Sequence, residues 1–264
     1  MEFQKTAYIV ENGIAVLTMR YPKNLNAIDE QMAEELLCRF QDAERDDAVK
    51  VVVLQSDGKA FSAGGDIGFF YQQVQAGGEI SLDALVARVD QLADTMKKMR
   101  KLVITSVCGA AAGAGVSLAL GGDFLFCADN AKFILAFVNL GLVPDTGAAY
   151  LLSKSIGAAR ALELSVTGRP MGAAEAKELG LAYQVVPKEK LHGTVMQFAE
   201  KLAHGPLTAY QNIKKQIYAA AFADYKDWLD HTEAPTQCAC AKTADFQEGV
   251  KAFIEKRKAV FTGK

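Results

Sequence analysis

The chain opens with two apolar runs separated by an Asn-Gly pair. The segment AYIVENGIAVLTM (7–19) has this pair at its centre, and Asn-Gly between alternating apolar runs is the strongest short signal for a β-hairpin. Apolar residues then recur at helical spacing over residues 29–46. Asn26 or Asp29 is placed to cap that helix, because short polar side chains accept hydrogen bonds from the first free N–H groups of a helix.

Four short, continuous apolar runs follow, with helical and glycine-rich segments between them. The β-branched run KVVVLQS (50–56) is typical of a strand buried on both faces of a parallel sheet. LVITSV (102–107) predicts another buried strand, and FLFCA (124–128) and KFILAF (132–137) predict further strands. The residues between 81 and 101 have a helical pattern. Strands that alternate with helices predict βαβ units and a largely parallel sheet, which is an α/β fold.

The pattern changes to nearly all helix after about residue 145. Only YQVVP (183–187) has an extended pattern, whereas residues 206–222, 224–242 and 244–258 are amphipathic. We expect a helical C-terminal region that packs on the sheet or on a neighbouring subunit. A length of 264 residues suits one large domain, or one domain with a helical appendage.

Composition excludes several classes of function. Half of the residues are hydrophobic, 23% are charged, and the net charge is −2, so no basic stripe points to nucleic acid. The N-terminal MEFQKTAYIV has no secretory pattern, and the apolar stretch near 108–120 is too short for a bilayer. We therefore expect a cytoplasmic protein that does not bind a membrane. The cysteines, expected to be reduced thiols without a metal, are Cys38, Cys108, Cys127, Cys238 and Cys240.

Two glycine-rich turns are the first candidate site. FSAGGDI (61–67) and CGAAAGAGVSLAL (108–120) each lie where a predicted strand passes into a helix. The first N–H groups of a helix lack partners, and small residues allow a ligand close to the backbone. Two such turns could converge on one carbonyl oxygen as an oxyanion hole; alternatively, they only allow tight packing. Neither fits the dinucleotide fingerprint GxGxxG or a phosphate-binding P-loop.

An isolated carboxylate is the second candidate. Asp145 lies between Pro144 and Thr146-Gly147, at the end of a mostly apolar run in FILAFVNLGLVPDTGAAY (133–150). Such an acid at a turn beside a buried surface can transfer protons. It can equally cap a helix that starts near Thr146, and the two roles are compatible.

Other polar residues carry weaker signals. The histidines have no metal-ligand spacing and no nucleophile motif; they are His192, His204 and His231. A basic run fits a solvated helix C-terminus, or a site near a phosphate-bearing ligand; it consists of Lys97, Lys98, Arg100 and Lys101.

Taken together and in order, the motifs resemble the crotonase (enoyl-CoA hydratase/isomerase) superfamily over essentially the whole chain. The matching segments are GIAVLTM, KNLNAI, KAFSAGGDI, GAAAGAGVSLALGGDFLFCADNAKF, GLVPDTG, TGRPMGAAEAKELGLAYQVVP and EGVKAFIEKRKAVFTGK. The resemblance implies an α/β crotonase fold of repeated ββα units. Residues 1–200 would form the core with the thioester site, and residues 201–264 a helical trimerisation region. It also implies a homo-oligomer, a trimer or a dimer of trimers.

The resemblance further implies a coenzyme A thioester as ligand and no metal or redox cofactor. The acyl oxygen would be held by the N–H groups of Gly65 and Ala114, although the family usually has glycine at the second position. Substrate-binding residues carried over in the same way are Ala63, Asp66 and Ile67 near the adenine and Lys23 and Leu25 along the coenzyme path.

Departures from the family pattern indicate which reaction is catalysed. Hydratases of this family carry two glutamates, and at the matching positions this chain has Ser117 and Phe137. We therefore expect a poor hydratase in which both residues line the substrate site and Phe137 keeps water away. Asp145 falls where a subset of isomerases carries its single acid, including the ring-expanding isomerase of phenylacetate breakdown. The resemblance thus implies a shift of a 3-enoyl to a 2-enoyl thioester through an enolate, with Asp145 as acid and base.

Four alternatives remain open. The enzyme could convert a ring epoxide to an oxepin, act on acyl-carrier-protein thioesters, or hydrate enoyl-CoA; or the chain could be a non-catalytic acyl-CoA-binding subunit. Acyl-pocket volume would discriminate among the enzymes, and residues 68–90, with Phe69, Phe70 and Tyr71, are expected to shape it. Use of a carrier protein predicts a basic patch at the pocket mouth.

Overall fold

The computed structural model describes residues 3–77 and 80–264. Its strands, β1 to β10 in chain order, are Thr6–Glu11, Ile14–Met19, Val51–Ser56, Ala60–Ser62, Leu102–Val107, Ala110–Ala112, Phe124–Ala128, Lys132–Ile134, Pro170–Gly172 and Gln184–Val186. Its α-helices, α1 to α12, are Glu30–Arg45, Ile67–Ala76, Asp83–Lys98, Ala114–Gly121, Ala148–Ile156, Ala158–Thr167, Ala173–Glu178, Leu191–Ala203, Leu207–Ala221, Tyr225–Trp228, Ala234–Ala241 and Ala244–Ile254. Three short 3₁₀ segments and one π-helical segment complete the structure, at Pro22–Asn24, Ala136–Leu140, Lys188–Lys190 and Leu229–Glu233.

A six-stranded sheet in the order β1-β2-β3-β5-β7-β10 forms the centre of the fold. Adjacent strands in this sheet are parallel apart from the β1–β2 hairpin, which confirms the predicted largely parallel sheet. The hairpin turns at Asn12 and Gly13, both of which have positive φ, at 51° and 80°. This is the backbone conformation that an Asn-Gly turn adopts most readily.

A second sheet, in the order β4-β6-β8-β9, was not predicted. Each of its strands is three residues long, which is too short for an alternating pattern to emerge from the sequence. With these strands included, the chain repeats the strand–strand–helix unit as β1-β2-α1, β3-β4-α2 and β5-β6-α4. The repeated ββα units implied by the resemblance are confirmed, as is the helical C-terminal region.

The strand predicted for residues 132–137 is too long. β8 ends at Ile134, and the chain then continues as the 3₁₀ segment Ala136–Leu140. The ladder stops there because Ile134 pairs with Pro170, and proline has no N–H group to extend the pairing. As a result Phe137 lies on a 3₁₀ turn rather than on a strand.

The run VVVL in β3 shows why a strand buried on both faces is continuously apolar. Val51 and Val53 pack in one apolar cluster with side chains of α8. Val52 and Leu54 pack in a second cluster with side chains of α1 and α3. Successive strand residues point to opposite faces, and each face of this sheet is covered by helices.

The two candidate caps of α1 have different roles. Asp29 is the N-cap, and its carboxylate accepts a hydrogen bond from the Met32 N–H at 2.9 Å. Asn26 is instead fully buried. Its amide binds main-chain groups of Tyr21, Asp57 and Ala60, so it ties the first loop to the β3–β4 turn.

The basic run near residue 100 is only partly solvated, so the expectation of a solvated helix end is wrong for two of its members. Lys97 and Lys101 are buried and donate to main-chain carbonyl oxygens at the ends of neighbouring helices. Lys98 and Arg100 are exposed and form ion pairs. All five cysteines are free thiols. Across residues 3–77 and 80–264, no helix has the length and apolar character to cross a bilayer.

Candidate active site

A cavity of about 580 Å³ lies between the two glycine turns, α3 and the C-terminal helices. Its wall is mostly apolar, and the only titratable side chains among the described lining residues are Asp66 and Asp145. The lining includes every predicted site residue except Lys23 and Ser117.

The first glycine turn exposes the N–H group of Gly65. The Ile28 N–H donates to the Gly64 carbonyl oxygen at 2.7 Å, and the Asp66 N–H donates to the Ile28 carbonyl oxygen at 3.1 Å. These two bonds flank Gly65, so its own N–H points away from Ile28, since successive strand residues present their N–H groups to opposite sides. Within the described chain this N–H has no acceptor, and Gly65 lines the cavity.

The second glycine turn exposes the N–H group of Ala114. Gly113, with φ of 49°, precedes α4, and Ala114 is the first residue of that helix. The N–H groups of a first turn have no carbonyl partner inside the helix, and for Ala114 the described residues supply none from outside. Ala114 also lines the cavity.

The two turns touch at the backbone. A Cβ atom added to Gly64, whose φ is +85°, would lie 2.6 Å from the Ala112 carbonyl oxygen and 3.2 Å from the Gly113 Cα. Glycine at position 64 is therefore required both by its backbone angle and by this close approach. The two turns thus pack tightly against each other and also present two N–H groups to the same cavity. That Gly65 and Ala114 donate hydrogen bonds to a substrate stays a prediction.

Asp145 is not a helix cap, so the capping interpretation is wrong. α5 begins at Ala148 and has Gly147 as N-cap, with no side-chain cap bond. The positive φ values of Thr146 and Gly147 turn the chain away from the geometry in which Asp145 could reach the free N–H groups of the helix. Its carboxylate instead lines the cavity.

Two side chains hold that carboxylate. The Thr146 hydroxyl donates to Oδ1 at 2.9 Å, and the Gln237 amide donates to Oδ2 at 3.0 Å. Burial raises the pKa of Asp145 to about 6, and these two hydrogen bonds act in the opposite direction. Asp145 keeps part of its surface exposed, because it faces the cavity. At neutral pH it is largely ionised and is able to accept a proton.

The remaining predicted site residues divide into two groups. Those that line the cavity are Leu25, Ala63, Asp66, Ile67 and Phe137. Lys23 and Ser117 are not among the described lining residues: Lys23 is exposed on the loop before α1. Ser117 is buried, and its hydroxyl donates to the Asp145 carbonyl oxygen at 2.7 Å. Ser117 therefore reaches the site through the main chain of Asp145, not by contact with the cavity.

Residues 68–90 form one wall of the cavity. Of the three consecutive aromatic residues, only Phe70 lines it, and α3 and the residue before it add an apolar face made of Leu82, Leu85, Val86 and Val89. Residues 78 and 79 of this predicted wall lie outside the described residues.

Sequence reasoning missed the contribution of the C-terminal helices to the cavity. Gln237, Phe253 and Ile254 line it, although Gln237 belongs to no recognised motif and the family-matching segment with Phe253 and Ile254 carried no site assignment. Behind them, the carboxyl groups of Asp90 and Glu233 face one another, and burial raises the pKa of both. In the described part of the chain, no cluster of His, Cys, Asp and Glu could hold a metal ion.

The sequence matches the enoyl-CoA hydratase/isomerase family over residues 10–264. The chain belongs to this family. It adopts the α/β crotonase fold with two mixed sheets, and it is an acyl-thioester enzyme of the isomerase or hydratase type by this membership.

Relatives of this family member include two isomerases. It is 37% identical to trans-2-decenoyl-[acyl-carrier-protein] isomerase of Streptococcus mutans over 264 residues, which is all of both chains. It is 38% identical to 1,2-epoxyphenylacetyl-CoA isomerase of Escherichia coli over 257 residues, or 97% of each chain. Among solved structures, an enoyl-CoA hydratase from Mycobacterium avium subsp. paratuberculosis superposes with a TM-score of 0.90 at 29% identity, covering 99% of this chain and 100% of that one.

Proposed function

We propose that this member of the enoyl-CoA hydratase/isomerase family is an isomerase that shifts a double bond from the 3- to the 2-position of an acyl thioester. One observation carries the proposal. A single proton-accepting carboxylate, that of Asp145, shares an apolar cavity with two N–H groups, of Gly65 and Ala114, that have no acceptor within the described chain.

The reaction follows from these three groups. Asp145 removes a proton from C2 of the 3-enoyl thioester, and the negative charge moves to the thioester oxygen. The N–H groups of Gly65 and Ala114 stabilise that enolate oxygen. Asp145 then returns the proton to C4, so that the double bond moves into conjugation with the carbonyl. A positioned acid–base contributes about 10²–10⁴-fold to such a reaction, and an oxyanion donor about 10²–10³-fold.

The lining supports isomerisation over hydration. Addition of water needs groups that orient the water and deliver protons to two places, and the only other acid on the described lining is Asp66. Asp66 is engaged elsewhere, because its carboxylate caps α2 through the Phe69 N–H and accepts a hydrogen bond from the Asn24 amide. Phe137 lies against the second glycine turn, its ring 3.8 Å from where a Gly113 Cβ would be, and there it excludes water from the enolate.

An acyl-carrier-protein thioester is the second candidate substrate. Phe253 and Ile254 lie at the cavity with 58% and 40% of their surfaces exposed. They belong to the segment KAFIEKRKAVFTGK (251–264), which holds five basic residues and one acidic residue. A basic segment with exposed apolar side chains at a pocket mouth suits an acidic protein partner. The name of the Streptococcus mutans relative points to the same substrate class.

We further propose that the protein is a homo-oligomer, a trimer or a dimer of trimers. Helix α6 exposes Leu162 and Val166, and helix α9 exposes Ile213 and Ile217, each at least half exposed and each pair four residues apart. Such apolar stripes on a helix face favour an interface. Light scattering coupled to size-exclusion chromatography should give three or six times the chain mass of 28.4 kDa; a monomer would contradict this proposal.

The test of the reaction is ultraviolet-monitored turnover of 3-enoyl and 2-enoyl thioesters by the wild type and the Asp145→Asn variant. We expect conjugation to form from the 3-enoyl substrate, a loss of about 10²–10⁴-fold in the variant, and little hydration of the 2-enoyl substrate. Asp57→Asn is a matched control, because the Asp57 side chain is partly exposed, forms an ion pair with Arg20 and is not among the described lining residues of the cavity.

Two outcomes would overturn the proposal. Efficient hydration that survives Asp145→Asn would mean that another group supplies the acid. No turnover of either substrate, with thioester still bound, would favour a ring epoxide substrate or a binding role. Running each substrate on coenzyme A and on acyl carrier protein separates the two carriers by their kcat/KM values.

A further inference from the structure

Gln237 connects the proposed acid to a helix far away in the sequence. It lies in α11, is buried, and lines the cavity. Both ends of its amide are used. The Val143 N–H donates to its Oε1 at 3.1 Å, and its Nε2 donates to the Asp145 Oδ2 at 3.0 Å. The residue thus spans the loop that carries Asp145.

These two bonds allow only one orientation of the amide. The Val143 N–H can only donate, so the amide oxygen must face it. The NH₂ group is thereby directed at Asp145, where it satisfies a carboxylate oxygen and opposes a proton on that oxygen. Oδ2 is fixed as an acceptor. Among the described residues, the hydrogen bond that Oδ1 accepts comes from the Thr146 hydroxyl. That hydroxyl can rotate, so Oδ1 is the oxygen that can carry the transferred proton.

A second contact from the same region holds the other side of the turn. Glu233, four residues before Gln237, accepts a hydrogen bond from the Gly147 N–H at 2.8 Å. Gly147 has φ of +84° and follows Thr146 at +57°, a conformation that needs support from its surroundings. Glu233 ends the π-helical segment that leads into α11, and insertions of this kind are frequent at functional sites. The C-terminal region therefore fixes the turn on both sides of Asp145.

We infer that Gln237 is a positioning residue for Asp145, holding Oδ2 so that Oδ1 faces the substrate and the carboxylate form is favoured. The inference rests on the proposed function, because it assumes that Asp145 transfers the proton. Gln237 itself is not required to touch the substrate.

The test is the pH dependence of kcat and KM for Gln237→Met, a variant of similar length that cannot donate. The lost hydrogen bond should raise the pKa of Asp145, so the acidic limb of kcat/KM should move to higher pH. We expect kcat near neutral pH to fall about tenfold, the size of one hydrogen bond to a charged group, with KM changed less than twofold. Gln197→Met, on the exposed face of α8, which packs on the side of the central sheet away from α1 and α3, is the matched control and should leave both unchanged.

A second variant keeps the inference testable if Gln237→Met does not fold. Gln237→Glu preserves the shape but places an acceptor opposite Asp145, so it should move the acidic limb further in the same direction. The inference would be overturned if the acidic limb of kcat/KM stayed at its wild-type pH in the variants and kcat stayed within twofold of the wild type. A change confined to KM would also overturn it. Loss of activity in Asp145→Asn together with a wild-type profile in both Gln237 variants would refute this inference alone. Activity retained in Asp145→Asn would refute the proposed function.

Discussion

The two walls of the cavity are built in different ways. The wall with the N–H groups of Gly65 and Ala114 consists of main chain from two strand-to-helix turns, held in contact by glycines 64 and 113. The wall with Asp145 consists of side chains, and its carboxylate depends on Gln237, 92 residues further along the chain. One wall needs only backbone geometry, whereas the other needs the C-terminal helices in place.

The two walls therefore differ in how much sequence change they tolerate. A backbone N–H survives any substitution other than proline, so Ala114 keeps the N–H group that a glycine would present at the start of α4. The carboxylate wall has no such tolerance, because each of the two hydrogen bonds to the Asp145 carboxylate comes from one particular side chain. Changes to the wall with the N–H groups should therefore weaken the stabilisation of the enolate oxygen. Changes to the carboxylate wall should instead affect the transfer of the proton.

After the loss of the Asp145 carboxylate, the largest fall in activity is expected from removing one backbone donor. Ala114→Pro deletes the N–H at the first position of α4, where proline is tolerated in a helix. Because an oxyanion donor contributes about 10²–10³-fold, we expect kcat/KM for a 3-enoyl thioester to fall by that factor without a shift of its pH dependence.

Ala158→Pro is the matched control for that variant. Ala158 is also the first residue of a helix, follows a glycine and is exposed away from the cavity. It should retain full activity. If Ala114→Pro stayed as active as this control while folded, the oxyanion hole would not include Ala114.

A smaller effect, on the free energy of unfolding, is expected from removing the charge of the carboxylate wall. Burial raises the pKa of Asp145 from 3.8 to about 6, so ionising it in the folded protein costs about 3 kcal/mol at pH 8. This cost is absent below the unfolded pKa, grows as pH rises between the two values and is complete above the folded pKa. Asp145→Asn should therefore be more stable than the wild type at pH 8 and not at pH 4.

Urea denaturation of both proteins at the two pH values measures this difference. The Asp57→Asn control, at a partly exposed site, should show no comparable gain. An Asp145→Asn variant that is less stable than the wild type at pH 8 would mean that the carboxylate is not destabilised by its burial.

The smallest effect is expected at Ser117. Its hydroxyl supports the Asp145 carbonyl oxygen, which also accepts a hydrogen bond from the Ala148 N–H at 3.1 Å. Since that oxygen keeps one partner, Ser117→Ala should cost about 1 kcal/mol in the free energy of unfolding. Activity should fall only a few-fold, and KM should stay unchanged because Ser117 does not line the cavity. A large rise in KM would instead place Ser117 in contact with the substrate, as the family comparison implies for that position.

Features that depend on local geometry can be read from the sequence alone. Alternating and continuous apolar runs predicted the hairpin and the central parallel sheet, because the period of a strand is visible within a few residues. The two glycine turns were also recognisable, since a positive φ and a close backbone approach require residues without a Cβ at a fixed place. Three of the four three-residue strands of the second sheet, β4, β6 and β9, were missed because they are too short to show any period.

The role of Asp145 at its turn depends on the three-dimensional packing around it. From the sequence it could cap a helix or transfer a proton, and the local residues fit both. The structure excludes the cap, because Thr146 and Gly147 turn the chain before α5 begins. It also supplies Gln237 and Glu233 from the C-terminal helices. Hydrogen bonds between residues about 90 positions apart leave no pattern in the sequence, because the packing of helices on the sheet, and not the spacing of residues, brings the partners together.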